Sequence, residues 1–241
     1  MQDVTDEQLP RGAGSAGEIE ARPAASTIVL RGDPFEVLFL RRTATSTFVP
    51  DAWVYPGGAV DEIDRKIASE RGGDLLNQMR LCAARELFEE AGIWIGTPIP
   101  GLEERRQAIL DDDSRFADLV SESPPDVDRL VWTSRWVTPI GVPRRYDTFF
   151  FLLHVPDGTM ASAEEREGVE VVWLSPAAAL DRHRAGSFTM VFPTIRNLEA
   201  LIPFTSPREL IASREGVDVP TTRPVLVVDG DRKRIELPDP S

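Results

Sequence analysis

Residues 81–93 read Leu81-Cys82-Ala83-Ala84-Arg85-Glu86-Leu87-Phe88-Glu89-Glu90-Ala91-Gly92-Ile93. Together with the residues before it, this stretch has helical spacing. Leu75, Leu76, Met79, Ala83, Leu87 and Ala91 recur at three- and four-residue intervals and predict one apolar face. Glu86, Glu89 and Glu90 stand at i, i+3 and i+4 and share another face. Gly92 suits the left-handed position that ends a helix. As a bare helix the arrangement is electrostatically poor. Like charges at i, i+4 cost a few tenths of a kcal/mol per pair, roughly, and the C-terminal end of the macrodipole disfavours anions. Arg85 is one cation against three anions. The spacing alone leaves two readings open: a solvated acidic helix face, or a site for a hard divalent cation, which takes oxygen ligands.

Upstream, Tyr55-Pro56-Gly57-Gly58 closes a short apolar run beginning at Trp53. With it, Arg85-Glu86-Leu87-x-Glu89-Glu90-x-Gly92-Ile93 resembles the box of the Nudix hydrolase superfamily, matching its second half in full. One departure stands out. Gly58 and Arg85 are 27 positions apart, thirteen more than in the usual box. The acid that normally falls between them has no assured counterpart, and Glu62, Asp64, Glu70 and Asp74 are all candidates. The expansion, Asp61 to Arg71, reads as a short extra helix stopped by Gly72-Gly73.

The resemblance implies an α/β fold, a Nudix α/β/α sandwich with a mixed β-sheet, here carrying additional C-terminal helices and a hairpin. It implies hydrolysis of a diphosphate joined to another moiety, with Mg²⁺ or Mn²⁺ as cofactor. Glu89 and Glu90 are then the main metal ligands, Glu86 a third ligand or the general base, and Arg85 the group that orients them. The Gly57 carbonyl becomes a backbone ligand and Gly58 opens the loop. A further acid is implied before a late strand, in Glu164-Glu165-Arg166-Glu167-Gly168, where Glu167 is the preferred candidate. Arg144-Arg145, beside Tyr146-Asp147-Thr148, and Arg41-Arg42, at the end of a strand, are candidate substrate-binding residues, because a planar guanidinium suits phosphate. Their alternative reading is a solvated loop pair.

Phe48-Val49-Pro50 before the Pro-Gly-Gly, the expanded box, and Trp136-Val137-Thr138-Pro139 running through Arg144-Arg145-Tyr146-Asp147-Thr148 to Phe150-Phe151 are similar to the acyl-coenzyme A diphosphatase branch over about residues 25–205. That similarity implies cleavage of CoA or acyl-CoA to a 4′-phosphopantetheine and adenosine 3′,5′-bisphosphate. The stricter CoA signature is not matched at Arg42-Thr43-Ala44-Thr45-Ser46. ADP-ribose, another nucleotide sugar or a dinucleotide is the alternative substrate. A ligand-sensing Nudix module without catalysis is the alternative of a different class, although such modules typically lose box carboxylates and all three are present here.

Composition bounds the partners. The 241 residues carry a net charge of −13, which opposes bulk binding to nucleic acid or to an anionic membrane but allows a small-molecule substrate. One cysteine, Cys82, permits no internal disulfide, and with two histidines a Cys/His zinc site is excluded. Cys82 reads as a small buried residue. No signal peptide, membrane span or peroxisomal address is read, so a cytoplasmic protein is expected. The family resemblance admits a homodimer. Neither a Gly-x4-Gly-Lys loop nor a Gly-x-Ser-x-Gly elbow occurs.

In chain order, residues 1–24 read as a flexible tail. Ser26–Arg31 and Phe35–Arg41 predict a hairpin around Gly32-Asp33-Pro34. A helix or helix pair is expected over 102–121, broken at Ser123-Pro124-Pro125. A strand is expected over 128–138 with Leu130, Trp132 and Trp136 on one face. Asp147–Val155 predicts a buried strand and Glu170–Leu174 another. Ser175-Pro176 opens a helix, segments 192–202 and 207–215 are helical, and 225–237 is a hairpin. These divide into a hydrolase domain at 25–205 and an extension at 206–241 packed on it.

Overall fold

The computed structural model describes residues 2–3, 19–45, 49–164, 168–229 and 232–237. The centre of the molecule is a mixed eight-stranded sheet. Its strands are β2 (Arg22–Gly32), β3 (Phe35–Arg42), β4 (Trp53–Val54), β5 (Gly57–Ala59), β6 (Val131–Val137), β7 (Tyr146–His154), β8 (Gly168–Leu174) and β9 (Thr221–Thr222). They run in the order β4-β3-β2-β7-β6-β9, with β5 added on β2 and β8 on β3. The expected hairpin is present, with Leu30 opposite Val37. β2 begins at Arg22, inside the stretch expected to be tail. β1 (Gln2–Asp3) joins a separate three-stranded sheet with β10 (Val225–Asp229) and β11 (Arg232–Glu236).

Residue alternation explains the layering. On β7, Phe149, Phe151 and Leu153 enter one core, while Phe150 and Leu152 enter the other. Both faces are covered, so the strand is continuously apolar, as expected for a central strand. One face carries α2 (Leu75–Ala91). The other carries α5 (Pro176–Arg184), α6 (Phe192–Leu201) and α7 (Pro207–Ala212). Ser175 caps α5, accepting from the Ala178 N–H, with Pro176 in the first turn.

Two expectations are corrected. Leu130 and Trp132 face the α2 side, but Trp136 belongs to the opposite core. A bulge between Trp132 and Ser134 shifts the register against β7 and reverses the parity. Leu75 is 52% exposed and lies off the apolar face. Helix α2 is also less one-sided than its spacing suggests. Met79, Ala83, Leu87 and Ala91 pack on the sheet, whereas Leu81 and Phe88 pack outward under α1 (Glu62–Glu70) and α4 (Phe116–Glu122). A helix covered on two sides is apolar on two sides. The short 3₁₀ turn at Asp113–Arg115 links α4 to α3 (Leu102–Asp111), so the expected 102–121 helix is a pair. Among the described residues no helix is long and apolar enough to cross a membrane.

Candidate active site

The thirteen-residue expansion supplies the site's anchor. Ile63, Ile67 and Ala68 on α1 pack against Leu81 and Phe88, which docks α1 along α2. Asp61 and Asp64 form a capping box at the α1 start, with the Asp64 carboxylate accepting from the Asp61 N–H at 2.9 Å. The same carboxylate is fully buried and receives Arg85 in a fork, Nε to Oδ1 at 3.0 Å and Nη2 to Oδ2 at 2.9 Å. Of the four candidates for the intermediate acid, Asp64 is the one that meets Arg85. The signal for this lay in the Asp61-x-x-Asp64 spacing, which pins both acids to the first turn.

Arg85 spends its remaining donors on the acidic face. Nη1 reaches Glu89 Oε2 at 3.0 Å, Nη2 lies 3.0 Å from Glu86 Oε1, and the Ala59 carbonyl accepts at 3.2 Å. Burial alone pulls the guanidinium's pKa down, but the charges of Glu86 and Asp64 more than reverse this and leave it raised. Arg85 is therefore a permanently charged clamp, not a surface residue balancing a solvated run. Glu86 and Glu90 are themselves buried.

The Pro-Gly-Gly loop lies against this face. The Gly57 N–H donates to Glu90 Oε2 at 2.7 Å. A Cβ on Gly57 would come within 2.4 Å of the Ala25 carbonyl, and one on Gly58 within 2.4 Å of Glu86 Oε1. Glycine is required at both positions for close approach. Cys82 sits beneath the loop, and burial, then the Asp64 and Glu86 charges, push its thiol up. It is inert packing, as its place in the sequence suggested.

Asp61, Arg85, Glu86, Glu89 and Glu90 form one wall of a cavity of about 440 Å³. Arg42 is the second cation among its lining residues, and Trp136, Phe150, Phe192 and Ile235, which share one apolar core, line it too. Four carboxylates against two guanidinium groups, one of them already engaged, is an oxygen-rich donor set that fits a hard divalent cation. Among the described residues no three acid, histidine or cysteine side chains stand close enough together to hold a metal ion.

The arginines are distributed differently from expectation. Arg41 pairs with Asp51 and Glu170, and Arg42 is the member of that pair lining the cavity. Arg145 donates to the backbone carbonyls of Thr138 and Ile19. Arg144 is exposed, and neither it nor Arg145 is among the lining residues. Asp147 receives Arg135 in a fork at 2.8 and 2.7 Å. Glu167 lies outside the described residues, although Glu164 before it donates its N–H to the Glu90 carbonyl.

A further anchor was not read from the sequence. Arg106, on α3 and 2% exposed, donates to the Glu89 carbonyl at 2.9 Å and to the Ser162 hydroxyl and carbonyl at 2.8 and 2.9 Å. It places a cation on the Glu89 carbonyl in the last turn of α2, where the macrodipole needs one. Arg106→Ala strips the Glu89 and Ser162 carbonyls of this donor. An expected loss of about 2 kcal/mol in urea unfolding follows, with Arg106→Lys recovering part of it. An unfolding midpoint equal to that of the parent protein would contradict this role.

The family model of the NUDT19 Nudix domain matches residues 68–201. The chain belongs to the NUDT19-type Nudix family. It is 32% identical to putative nudix hydrolase 7 of Caenorhabditis elegans, over 75% of this chain and 60% of that protein. It is 26% identical to the acyl-coenzyme A diphosphatase NUDT19 of Gallus gallus, over 78% of this chain and 70% of that protein. This Nudix chain thus spans 60–70% of the length of these two curated relatives. The crystal structure of a NUDIX hydrolase from Alicyclobacillus acidocaldarius superposes with a TM-score of 0.71 at 26% identity, covering 81% of this chain and 97% of that one. The expected Nudix α/β architecture is the observed one.

Proposed function

We propose that this Nudix protein is a divalent-metal-dependent diphosphohydrolase acting on a nucleoside diphosphate derivative, with CoA or acyl-CoA as the substrate. The observation that carries the reading is the Arg85 clamp. A fully buried Asp64 holds a guanidinium that fixes Glu86 and Glu89 beside Glu90 on a cavity wall. Three carboxylates crowd one helix face, Glu86 and Glu90 among them buried, a cost that a hard cation would relieve. Glu89 and Glu90 would hold Mg²⁺ or Mn²⁺, with Glu86 as third ligand or general base and the Gly57 carbonyl as backbone ligand. A bound divalent ion there neutralises diphosphate charge and acidifies water. In the general-base form Glu86 would take a proton from the attacking water as its oxygen bonds to one phosphorus; the bridging P–O bond would break with its electron pair leaving on the departing phosphate, and Glu86 would return the proton to solvent.

The CoA-type substrate is supported by two observations. NUDT19 relatives are named as acyl-coenzyme A diphosphatases. The segment from Trp136 to Phe150, which resembles that branch, supplies Trp136, Val137, Thr138, Pro139, Tyr146, Thr148 and Phe150 to the cavity. Residues 25–205 form the hydrolase domain in this reading, with 206–241 as an extension, in a cytoplasmic protein.

The test is turnover with Mg²⁺ and then Mn²⁺ across CoA, an acyl-CoA, ADP-ribose, NADH and a nucleoside triphosphate, with products separated by chromatography. Adenosine 3′,5′-bisphosphate from the CoA compounds is the expected product. Preference for ADP-ribose would keep the chemistry and discard the substrate. Absence of turnover on all five would discard both.

A further inference from the structure

Glu89 and Glu90 stand in the last turn of α2, and the last turn is the part of a helix most prone to fray. The Gly92 N–H closes the helix on the Phe88 carbonyl at 2.9 Å. The carbonyls beyond it, of Glu89, Glu90 and Ala91, are met from outside the helix. Arg106 Nε donates to the Glu89 carbonyl at 2.9 Å, the Glu164 N–H to the Glu90 carbonyl at 3.2 Å and the Ser162 N–H to the Ala91 carbonyl at 3.1 Å. Arg106 also ties these contacts together, because its Nη1 and Nη2 donate to the Ser162 hydroxyl and carbonyl. The packing is close. A Cβ on Gly92 would come within 3.0 Å of Arg106 Nη1 and 3.1 Å of the Ser162 hydroxyl. One buried guanidinium thus fastens the 162–164 segment to the turn that carries Glu89 and Glu90.

We propose that Arg106 is a positioning residue for the metal site, holding the backbone of Glu89 and Glu90 while Arg85 and Gly57 hold their carboxylates. The inference rests on the diphosphohydrolase reading and adds to it what keeps the ligand turn still. Glu89 is gripped at both ends, its carboxylate by Arg85 Nη1 at 3.0 Å and its carbonyl by Arg106. Glu90 likewise gives its carboxylate to the Gly57 N–H and its carbonyl to the Glu164 N–H, in the segment that Arg106 fastens. A binding constellation works only within about 0.5 Å of its productive geometry, so its supporting contacts decide its affinity. Side-chain clamps alone do not supply that precision, since a carboxylate follows its own Cα. The planar guanidinium fork serves the Glu89 carbonyl and Ser162 at once, which the single ammonium of a lysine matches only in part.

The test is Mn²⁺ affinity of the full chain, followed by electron paramagnetic resonance well below the unfolding temperature. Alongside it go kcat and KM on the compound turned over and hydrogen–deuterium exchange of the 162–164 amides. Arg106→Ala should weaken Mn²⁺ binding about tenfold or more and lower kcat by a similar factor, with KM little changed. The Ser162 and Glu164 amides should exchange faster, and Arg106→Lys should recover part of each loss. Ser162→Ala removes one acceptor of Arg106 and no charge, and should weaken Mn²⁺ binding about threefold. It keeps the test decisive if Arg106→Ala fails to fold. Leu210→Ala, a truncation in the core on the opposite face of the sheet, lowers stability without touching this turn and should leave Mn²⁺ affinity unchanged. Unchanged Mn²⁺ affinity in both Arg106→Ala and Ser162→Ala would overturn the role, and so would an equal loss in Leu210→Ala and Arg106→Ala. No Mn²⁺ uptake and no turnover by the unmodified protein is a separate outcome, which overturns the diphosphohydrolase reading and this role with it.

Discussion

Asp64→Ala is expected to cost about 3–5 kcal/mol of folding stability, because it strands a buried guanidinium that has lost its forked partner. Arg85 is almost wholly buried, and Asp64 supplies two of its hydrogen bonds. Besides Asp61 and the Ala59 carbonyl, its remaining partners are Glu86 and Glu89, the groups that Arg85 is there to orient. Activity should fall with stability, since the clamp will be drawn toward the acids and away from α1. Asp64→Asn keeps the shape and part of the hydrogen bonding and should be milder. A double-mutant cycle with Arg85→Met isolates the pair, and a large favourable coupling is expected. Urea unfolding supplies the energies. A loss under about 1 kcal/mol for Asp64→Ala would show that the pair is not a structural anchor.

Glu89→Gln and Glu90→Gln should each lower kcat by about a thousandfold or more, equivalent to about 4 kcal/mol of transition-state stabilisation. The physical ground is charge, because glutamine keeps the size and the acceptor oxygen. In Glu90→Gln the new amide oxygen can still receive the Gly57 N–H, and in Glu89→Gln it can still receive the Arg85 Nη1 donor. Removing one of several crowded carboxylates also relieves like-charge repulsion along α2. Thermal unfolding should therefore stay close to that of the parent protein while turnover collapses. Full activity in both variants would remove these residues from the reaction.

Much of this site was legible in the sequence, and the reasons are local. The i, i+3, i+4 glutamates, the Gly92 stop and the Ser175-Pro176 cap depend on neighbours within one or two turns, and the structure keeps them all. The Gly57-Gly58 requirement was legible through the family resemblance, and its cause is the approach of β5 to Ala25 and Glu86. What escaped depends on distant contacts. Trp132 and Trp136 part company because of a bulge that no alternation pattern announces. Arg106 looks like one more arginine on an acidic helix, and only the packing of α3 delivers it to the Glu89 carbonyl. Adjacent arginines at 41–42 differ in fate because strand neighbours point to opposite faces, so Arg42 lines the cavity while Arg41 pairs outside it. The role of the C-terminal strands was hidden for the same reason. Ile235 meets Trp136 across about a hundred residues of chain.

Everything proposed for the chemistry depends on the clamped glutamates holding a divalent cation. That is tested most directly by titrating Mn²⁺ into the protein and following the free-ion signal by electron paramagnetic resonance. The unmodified chain should take up Mn²⁺ saturably, and the Glu89→Gln, Glu90→Gln double variant should bind it at least about tenfold more weakly while unfolding normally. Equal uptake by the two proteins would contradict a metal site on this helix face.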